Sequence, residues 1–306
     1  MHDNYKILQY RPQHNNQLRK LYIASYGRKR SIKYFRYRLN ENPFGKPIAY
    51  VMTYNDVLVG FYAITPIRLN VNKKSILGGY SFLTMTHPKH IKKGIFQKLA
   101  KKTFEKAKQK KYNFIMGFAN PTSFPIFTKK LGFIHLTPIN HIEIKFNSKS
   151  LSMLPDDSKT PLNPNLLWKK YTSKDNLIFL DRSNGYLKWR YKNPEYDYYV
   201  ISSQNGYFVY KKFEHTLHIL DFFGMDNEQF YQNLFDNTKK LSKKLDCKKI
   251  TLWISKKHKL MQSPELLIKK NKTNSFFIIK ILNQKLHRKL SSIDNWYYTM
   301  SDADIF

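Results

Sequence analysis

Two short segments, far apart in the chain, share an aromatic and basic pattern that constrains the fold. Residues 34–43 read Tyr-Phe-Arg-Tyr-Arg-Leu-Asn-Glu-Asn-Pro, and residues 186–194 read Tyr-Leu-Lys-Trp-Arg-Tyr-Lys-Asn-Pro. The match needs one inserted residue, Glu41. A turn signal follows each segment, at residues 55–56 in the first half and 205–206 in the second. Because the same order of expected elements follows both matches, the sequence indicates an internal duplication.

The length of the chain also favours two units. Its 306 residues are comfortable for two compact domains and long for one, and hydrophobic residues make up 42% of the total. Residues 148–165 are rich in Ser, Pro and Asp, which is the composition of a linker. The sequence therefore predicts a first domain at 1–147 and a second domain at 166–306.

Hydrophobic periodicity predicts an α+β fold with mixed sheets in both halves. In the first half we expect strands at 5–11, 47–54, 57–67, 80–87, 112–118 and within 133–147, and helices at 13–27, 30–40, 95–110 and 122–131. In the second half we expect strands at 197–203, 206–212, 215–222, 248–254, 274–282 and 295–300, and a helix at 226–245. Residues 69–76 are expected to form a further strand edge, which Gly78 and Gly79 break.

The charge of the chain points to a polyanionic partner. The sequence has 54 Lys and Arg residues against 21 Asp and Glu residues, a formal net charge of +33. An AT-rich genome would explain the lysines, but the same bias should enrich Glu, which is scarce. A nucleic acid, an anionic polymer, an acidic protein or an anionic membrane surface would each fit this charge. The repeated aromatic and basic segments suit stacking on nucleic acid, and they suit core packing equally well.

Several classes of protein are excluded by simpler features. The single cysteine, Cys247, allows no internal disulfide and fits a reducing compartment, so we expect a cytoplasmic protein. No His or Cys pair stands at ligand spacing, and we expect no metal. No run approaches the roughly 18 apolar residues of a membrane-spanning helix, and the N-terminus lacks the apolar core of a signal peptide.

One stretch of the sequence is informative about chemistry, because it joins a buried strand to a helix through a basic loop. Lys92 and Lys93 precede Gly94, where the helix is expected to begin. A helix start presents unpaired backbone N–H groups and the positive end of the helix dipole, which suit a pyrophosphate. An ordinary strand-to-helix turn with solvated lysines is the alternative.

This stretch resembles the acyl-CoA loop of the GNAT superfamily of N-acyltransferases. The family loop, Arg/Gln-x-x-Gly-x-Gly/Ala, maps onto residues 91–96, in which Gly94 matches, Ile91 replaces Arg or Gln, and Phe96 replaces the small last residue. A later family motif, a strand, an Asn, a short helix and a closing Gly-Phe, matches residues 117–133. The resemblance covers most of 5–147. It implies two GNAT-like domains in tandem, each a mixed, mostly antiparallel sheet flanked by helices.

The resemblance also implies acetyl-CoA, or another acyl-CoA, as co-substrate. In the family, two neighbouring parallel strands splay apart, and the pantetheine arm lies in the gap. Here that arm would pair with the backbone of residues 84–86, and the amides of residues 92–96 would hold the pyrophosphate. The residues implied at the cofactor are Thr84, Met85, Thr86, Lys92, Lys93, Gly94, Ile95, Phe96, Asn120, Ser123 and Phe127.

The second half is similar to a GNAT domain that has lost its cofactor site. The helix expected at 226–245 begins with Asp226 and Glu228 and has no glycine loop, so its carboxylates would repel a phosphate. Tandem GNAT proteins, which include N-myristoyltransferases and Fem-type ligases, use a paired domain to shape the acceptor pocket. The resemblance implies the same role here.

Amide formation from a thioester needs a neutral amine and a proton for the leaving thiolate. Many GNAT members supply that proton from a Tyr on the short helix, where this chain has Phe124 or Phe127. His87 and His135 lie near the expected site and are candidate bases, although a histidine at such a place is more often structural.

The C-terminal segment, residues 295–306, is aromatic and acidic in an otherwise basic chain. Some tandem GNAT enzymes use the terminal carboxylate as the base, so Asp302, Asp304 and the Phe306 carboxylate are further candidates. A closing strand with a frayed acidic end is the simpler interpretation.

The sequence thus predicts an acyl-CoA-dependent N-acyltransferase, with acetyl-CoA as the expected donor and an amine as the acceptor. Transfer would be direct, without a covalent enzyme intermediate, and an amino sugar is the first candidate acceptor. Two alternatives remain open at this point. One is a GNAT-like protein that modifies or binds a nucleic acid, and the other is a non-catalytic GNAT scaffold.

Overall fold

The computed structural model describes residues 4–139, 141–144, 177–203, 206–224, 228–255, 258, 261 and 274–303. The strands are Tyr5–Gln9 (β1), Ile48–Tyr54 (β2), Val57–Val71 (β3), Lys74–Thr86 (β4), Phe114–Ala119 (β5), Ile134–Pro138 (β6), Ile142–Ile144 (β7), Ile178–Leu180 (β8), Tyr199–Ser203 (β9), Gly206–Phe213 (β10), Thr216–Gly224 (β11), Lys249–Leu252 (β12) and Phe276–Ile281 (β13). The helices are Asn15–Tyr26 (α1), Ile32–Asn40 (α2), Ile95–Gln109 (α3), Phe124–Leu131 (α4), Asn184–Arg190 (α5), Glu228–Lys244 (α6) and His287–Leu290 (α7).

These strands form two mixed sheets. The first has eight strands in the order β1-β2-β3-β4-β5-β13-β6, with β8 paired to the far end of β3. The second has five strands in the order β7-β12-β11-β10-β9. Among the described strands, only β4 with β5 and β11 with β12 pair in parallel, and α3 and α6 provide the crossovers that parallel neighbours need. The predicted α+β class, with two mixed and mostly antiparallel sheets flanked by helices, is confirmed.

The two halves of the chain exchange strands. β13, from the second half, lies between β5 and β6 in the first sheet. β8, also from the second half, pairs with β3, whereas β7, from the first half, forms an edge of the second sheet. The expected linker at 148–165 lies outside the described residues, and the boundaries at 1–147 and 166–306 stay predictions.

The prediction of a strand edge broken at two glycines was wrong. β3 and β4 form one long hairpin, which turns at Asn72 and Lys73 and runs straight through Gly78 and Gly79. A Cβ atom at Gly78 would lie 2.3 Å from the ring of Phe114. The glycine is therefore required by close packing between strands and does not end the strand.

The expected strand at 295–300 was also wrong. Within the described residues, this segment is mostly irregular, and Trp296 makes one isolated bridge to Ile178 of β8. The aromatic side chains that suggested a strand are buried instead: Trp296, Tyr297 and Tyr298 pack in the core. The aromatic residues of this segment therefore indicate a buried segment and not a strand paired in a sheet.

The two repeated segments form α2 and α5, and they pack against each other. Tyr37 and Trp189 occupy matching positions, and their rings stack with centroids 5.4 Å apart. The hydroxyl of Tyr37 donates to the carbonyl oxygen of Arg190, and Nε1 of Trp189 donates to the carbonyl oxygen of Tyr37. Matching positions of the two segments thus contact each other, which agrees with an internal duplication. It also shows that these aromatic residues serve core packing.

None of the described helices has the length and apolar character needed to cross a membrane.

Candidate functional site

The parallel strands β4 and β5 splay apart. They pair at two positions only, Gly79 with Ile115 and Tyr80 with Met116, and then both strands continue without pairing to each other. A bulge lies just beyond, where Leu83 has a φ of 49° and the register with β3 shifts. Bulges bend a strand away from its neighbour. Residues 84–86 of β4 therefore form an edge that β5 does not cover, called the open edge below.

A short basic loop connects the open edge to α3. After one turn at Pro88–His90, Lys92 and Gly94 adopt left-handed backbone conformations, with φ of 64° and 70°. A Cβ atom added at Gly94 would meet no atom within 4 Å, so the space beside it is open. Within the described part of the chain, the N–H groups of residues 92–97 donate no hydrogen bond. Several amides at a helix start are thus available to an anion.

Aromatic and histidine side chains hold this loop against β1. The hydroxyl of Tyr5 lies 2.7 Å from Nδ1 of His90, and the Nζ atom of Lys93 lies 5.6 Å from the centroid of the Tyr5 ring. Nδ1 of His87 accepts from the backbone N–H of Lys89 at 3.3 Å. Burial, with the nearby charges of His87 and Lys93, lowers the pKa of His90. The structure thus places His87 as a cap of the turn, and its role as a base stays a prediction.

Two hydroxyl groups of α1 reach the open edge, and sequence reasoning missed both. The hydroxyl of Tyr26 donates to the carbonyl oxygen of Thr84 at 2.7 Å, and Oγ of Ser25 donates to the carbonyl oxygen of Thr86 at 3.3 Å. α1 ends directly afterwards at Gly27, whose φ is 66°. No local signal distinguishes these residues, because they act through a tertiary contact between a helix end and a distant strand.

The opposite side of the splay carries the next two expected residues. Oδ1 of Asn120 accepts hydrogen bonds from the backbone N–H of Ser123 at 2.8 Å and from its Oγ at 3.0 Å. Asn120 is exposed just before α4, and Ser123, at the start of that helix, is half-buried. They are therefore accessible beside the end of β5.

Two further expected cofactor residues, Phe96 and Phe127, are buried in an aromatic cluster. Phe127 is 4% exposed, and its ring contacts those of Phe96 and Phe133, with centroids 5.1 and 4.9 Å apart. His135, on β6, packs edge-on against Phe124 at 4.9 Å. These contacts hold α4 against α3, and neither Phe124 nor Phe127 offers a hydroxyl as a proton donor.

The acidic candidate in the C-terminal segment lies in a buried ion pair. The carboxylate of Asp302 is 3.2 Å from the guanidinium of Arg182, which also pairs with Asp221 at 3.1 Å. The backbone N–H of Thr299 donates to Asp302 at 2.8 Å. Burial raises the pKa of Asp302, although Arg182 acts in the opposite direction. The other two candidates, Asp304 and Phe306, lie outside the described residues.

No group of three or more His, Cys, Asp and Glu side chains suited to a metal ion occurs in the described ranges. The candidate site therefore consists of the open edge, the loop at residues 92–96 and the start of α4, all within the first half of the chain.

A family model described as an acetyltransferase (GNAT) domain matches residues 7–135, which contain every one of these features. The first half of the chain therefore carries a GNAT domain. This match supports acyl-CoA-dependent N-acyltransferase activity in general terms. No curated protein sequence matches the chain.

Solved structures show that the GNAT-like fold extends over both halves. A probable N-acyltransferase from Enterococcus faecalis V583 is 12% identical with a TM-score of 0.72, covering 92% of this chain and 74% of that one. A GCN5-related N-acetyltransferase from Anabaena variabilis is 16% identical with a TM-score of 0.66, covering 91% and 73%. The N-myristoyltransferase of Saccharomyces cerevisiae, solved with myristoyl-CoA, is 10% identical with a TM-score of 0.60, covering 91% and 79%. At these identities the likeness concerns the fold alone.

Proposed function

We propose that this protein is an acyl-CoA-dependent N-acyltransferase that uses acetyl-CoA and transfers its acyl group directly to an amine. The observation that carries the proposal is the conjunction of an open strand edge with a helix start whose amides are unpaired. Both occur within residues 7–135, the part of the chain that matches the family model. An amino sugar remains the first candidate acceptor.

The site residues fit an acyl-CoA. The amides of residues 92–97 and the exposed Lys92 and Lys93 would bind the pyrophosphate, and the space beside Gly94 leaves room for it. The open edge would hold the pantetheine arm through backbone hydrogen bonds. When bound, acyl-CoA supplies an activated thioester carbonyl. The chain's own contribution is to position that carbonyl beside the amine and to keep water away from both.

Binding of acetyl-CoA to the full-length chain tests this proposal. We expect Gly94→Glu to weaken the affinity for acetyl-CoA by at least about tenfold, which corresponds to 1.4 kcal/mol, because a carboxylate would occupy the anion site. Gly132→Glu is the matched control, since Gly132 also has a left-handed backbone, with φ of 68°, but caps the far end of α4. Isothermal titration calorimetry with acetyl-CoA and with free CoA measures both variants.

The outcomes separate the alternatives. If Gly94→Glu binds as tightly as the wild type, the loop is not the pyrophosphate site. If the wild type itself binds no acetyl-CoA at millimolar concentration, the non-catalytic scaffold becomes the better interpretation. If it binds acyl-CoA with longer chains more tightly, the donor is not acetyl-CoA.

A second candidate function, binding or modification of a nucleic acid, is favoured by the outer face of α3. This face exposes four lysines, Lys98, Lys101, Lys102 and Lys108, close in sequence to Lys92 and Lys93. A mobility shift with DNA and RNA at several salt concentrations tests it, because phosphate contacts weaken steeply as salt rises. Absence of binding at low salt would rule this candidate out.

A further inference from the structure

A lysine of the second sheet is buried, and none of the described residues pairs with it as an anion. Lys211, on β10, is only 2% exposed. Its Nζ atom lies 3.3 Å from the centroid of the Tyr196 ring. Among the described residues, no hydrogen bond or ion pair reaches this ammonium group. Burial of an unpaired charge is costly, so such a group is unusual in a folded core.

Two arginines lie beside this lysine, and their positive charges further disfavour its protonated form. Arg30, in the loop between α1 and α2, lies 5.5 Å from the Tyr196 ring, donates to the Tyr196 hydroxyl at 2.9 Å and pairs with Glu195. Arg190, at the end of α5, donates to the carbonyl oxygens of residues 301 and 303. Burial, together with Arg190 and Arg30, lowers the pKa of Lys211 to about 7. An oxyanion bound beside Nζ would favour the protonated form of Lys211 and raise its pKa again.

The lysine lies on the face of the second sheet that is turned toward the first half. In the register of β10 and β11, Lys211 is opposite His218, whose Nδ1 is 2.7 Å from Oγ1 of Thr251. Trp253, two residues after Thr251, packs against Phe118 of β5, with ring centroids 5.3 Å apart. β5 is the strand that diverges from β4. This face of the second sheet therefore packs against a strand that borders the candidate site.

One loop connects the open edge to this lysine. Tyr26 touches the carbonyl oxygen of Thr84, and Arg30, four residues later, touches Tyr196. Four residues span at most about 14 Å, even when fully extended. A single short segment thus contacts both the open edge and the aromatic ring that covers Lys211.

We propose that Lys211, with Tyr196 and Arg30, binds an oxyanion of the acceptor, so that the acceptor is an amine that also carries a carboxylate or a phosphate. This inference rests on the proposed acyltransferase function, and it narrows the substrate class. The ring of Tyr196 packs against Lys211. Arg30, from the first half of the chain, would bind the same oxyanion as Lys211. The amine of the acceptor would then point toward the open edge.

The anion site is tested without catalysis, by thermal unfolding of the full-length chain with inorganic phosphate and with acetate at constant ionic strength and pH 7. We expect Lys211→Met to lower the apparent affinity for the preferred anion by about tenfold, or 1.4 kcal/mol. Lys212→Met is the matched control, because Lys212 is exposed and its Nζ donates to the carbonyl oxygen of Leu245. Lys211→Gln serves as a second variant should Lys211→Met not fold.

The stronger of the two anions reports whether the acceptor carries a phosphate or a carboxylate. Equal stabilisation of the wild type and both Lys211 variants would overturn the proposal, because the anions would then bind elsewhere on this basic chain. Absence of any anion effect in the wild type would overturn it as well.

Turnover with matched amines gives the second arm. Glucosamine 6-phosphate against glucosamine, and an amino acid against its amide, differ only in the oxyanion. We expect the anionic member to be preferred, and Lys211→Met to raise its KM by about tenfold with little change in kcat. Equal use of the neutral members would overturn the proposal. The affinity for acetyl-CoA, measured on the same variants, should not change. If the wild type binds no acetyl-CoA, the acyltransferase function is rejected. The experiment with phosphate and acetate still tests whether Lys211 binds an anion.

Discussion

Each sheet contains one parallel strand pair, and the two pairs differ in how far they remain hydrogen-bonded. In the first sheet, β4 and β5 pair at two positions and then diverge, which leaves the open edge. In the second sheet, β11 and β12 pair at four positions, from Thr216 to Ile219. The helices that follow also differ, since Gly94, with a left-handed backbone, precedes α3, and α6 begins with Glu228. The same order of elements thus leaves an open strand edge in one half and a closed strand pair in the other.

Side chains fill the centre of the second half. Asp221, on β11, is completely buried and accepts hydrogen bonds from Arg182, Tyr207 and Thr299. The segment that contains Thr299 also supplies Asp302 to the same arginine. Charged side chains here satisfy one another, whereas the first half leaves backbone amides available. Buried charges can contribute to stability at this place because each of them is paired.

The largest effect should follow from breaking this network. Arg182→Met leaves Asp221 and Asp302 buried without their cation, and we expect it to lower the free energy of unfolding by about 3–5 kcal/mol. Urea denaturation followed by circular dichroism measures the change. Arg36→Met is the control, because Arg36 is exposed on α2 and should cost less than about 0.5 kcal/mol. A similar loss in both variants would contradict a special role for the buried network.

Lys211→Met should have the opposite sign. It removes a buried ammonium group that has no hydrogen-bond or ion-pair partner among the described residues, so we expect about 1–3 kcal/mol of added stability at pH 7. The pKa of Lys211 falls from its ordinary 10.5 to about 7 in the folded chain. Between these values the unfolded chain holds a proton that the folded chain has released. The wild type should therefore gain stability as pH rises through this window, and the advantage of the variant should shrink.

Thermal unfolding of both proteins from pH 7 to 10 measures this difference, with Lys212→Met as the exposed control. A constant difference between the wild type and Lys211→Met across the pH range would show that Lys211 titrates normally.

The smallest effect concerns the start of α6. Glu228 is exposed in the first turn, where a negative charge interacts favourably with the helix dipole. We expect Glu228→Gln to lower the free energy of unfolding by about 0.3–1 kcal/mol, and Glu105→Gln, in the middle of α3, to cost less. Neither variant should bind acetyl-CoA more tightly. A gain in affinity with Glu228→Gln would show that this helix start is a second, masked cofactor site.

Much of the fold follows from the sequence because its signals are local. The boundary at Gly94 and the end of α4 at Gly132 were predicted from glycine positions, and both residues have left-handed backbones. The repeated segments also became helices. Long-range pairing has no such signal: the pattern at 274–282 predicts a strand, but nothing in it indicates that the strand lies between β5 and β6.

The candidate site shows the same limit. Loop residues 92–96 were predicted through a motif, whereas Tyr26 and Lys211 were not. A tyrosine at a helix end has no special pattern, and one lysine in a chain with a net charge of +33 does not stand out. Tyr26 is distinguished by its contact with a distant strand and Lys211 by its burial, and both features arise only in the tertiary structure.

The position of β13 has a consequence for how the protein is made. β5 and β6 face each other across a gap that residues Phe276–Ile281 fill, and this segment lies far downstream of both strands in the sequence. During translation both strands leave the ribosome long before their partner, with hydrogen-bonding edges that can pair with another nascent chain. The first sheet therefore cannot be completed until this segment of the second half has been synthesised.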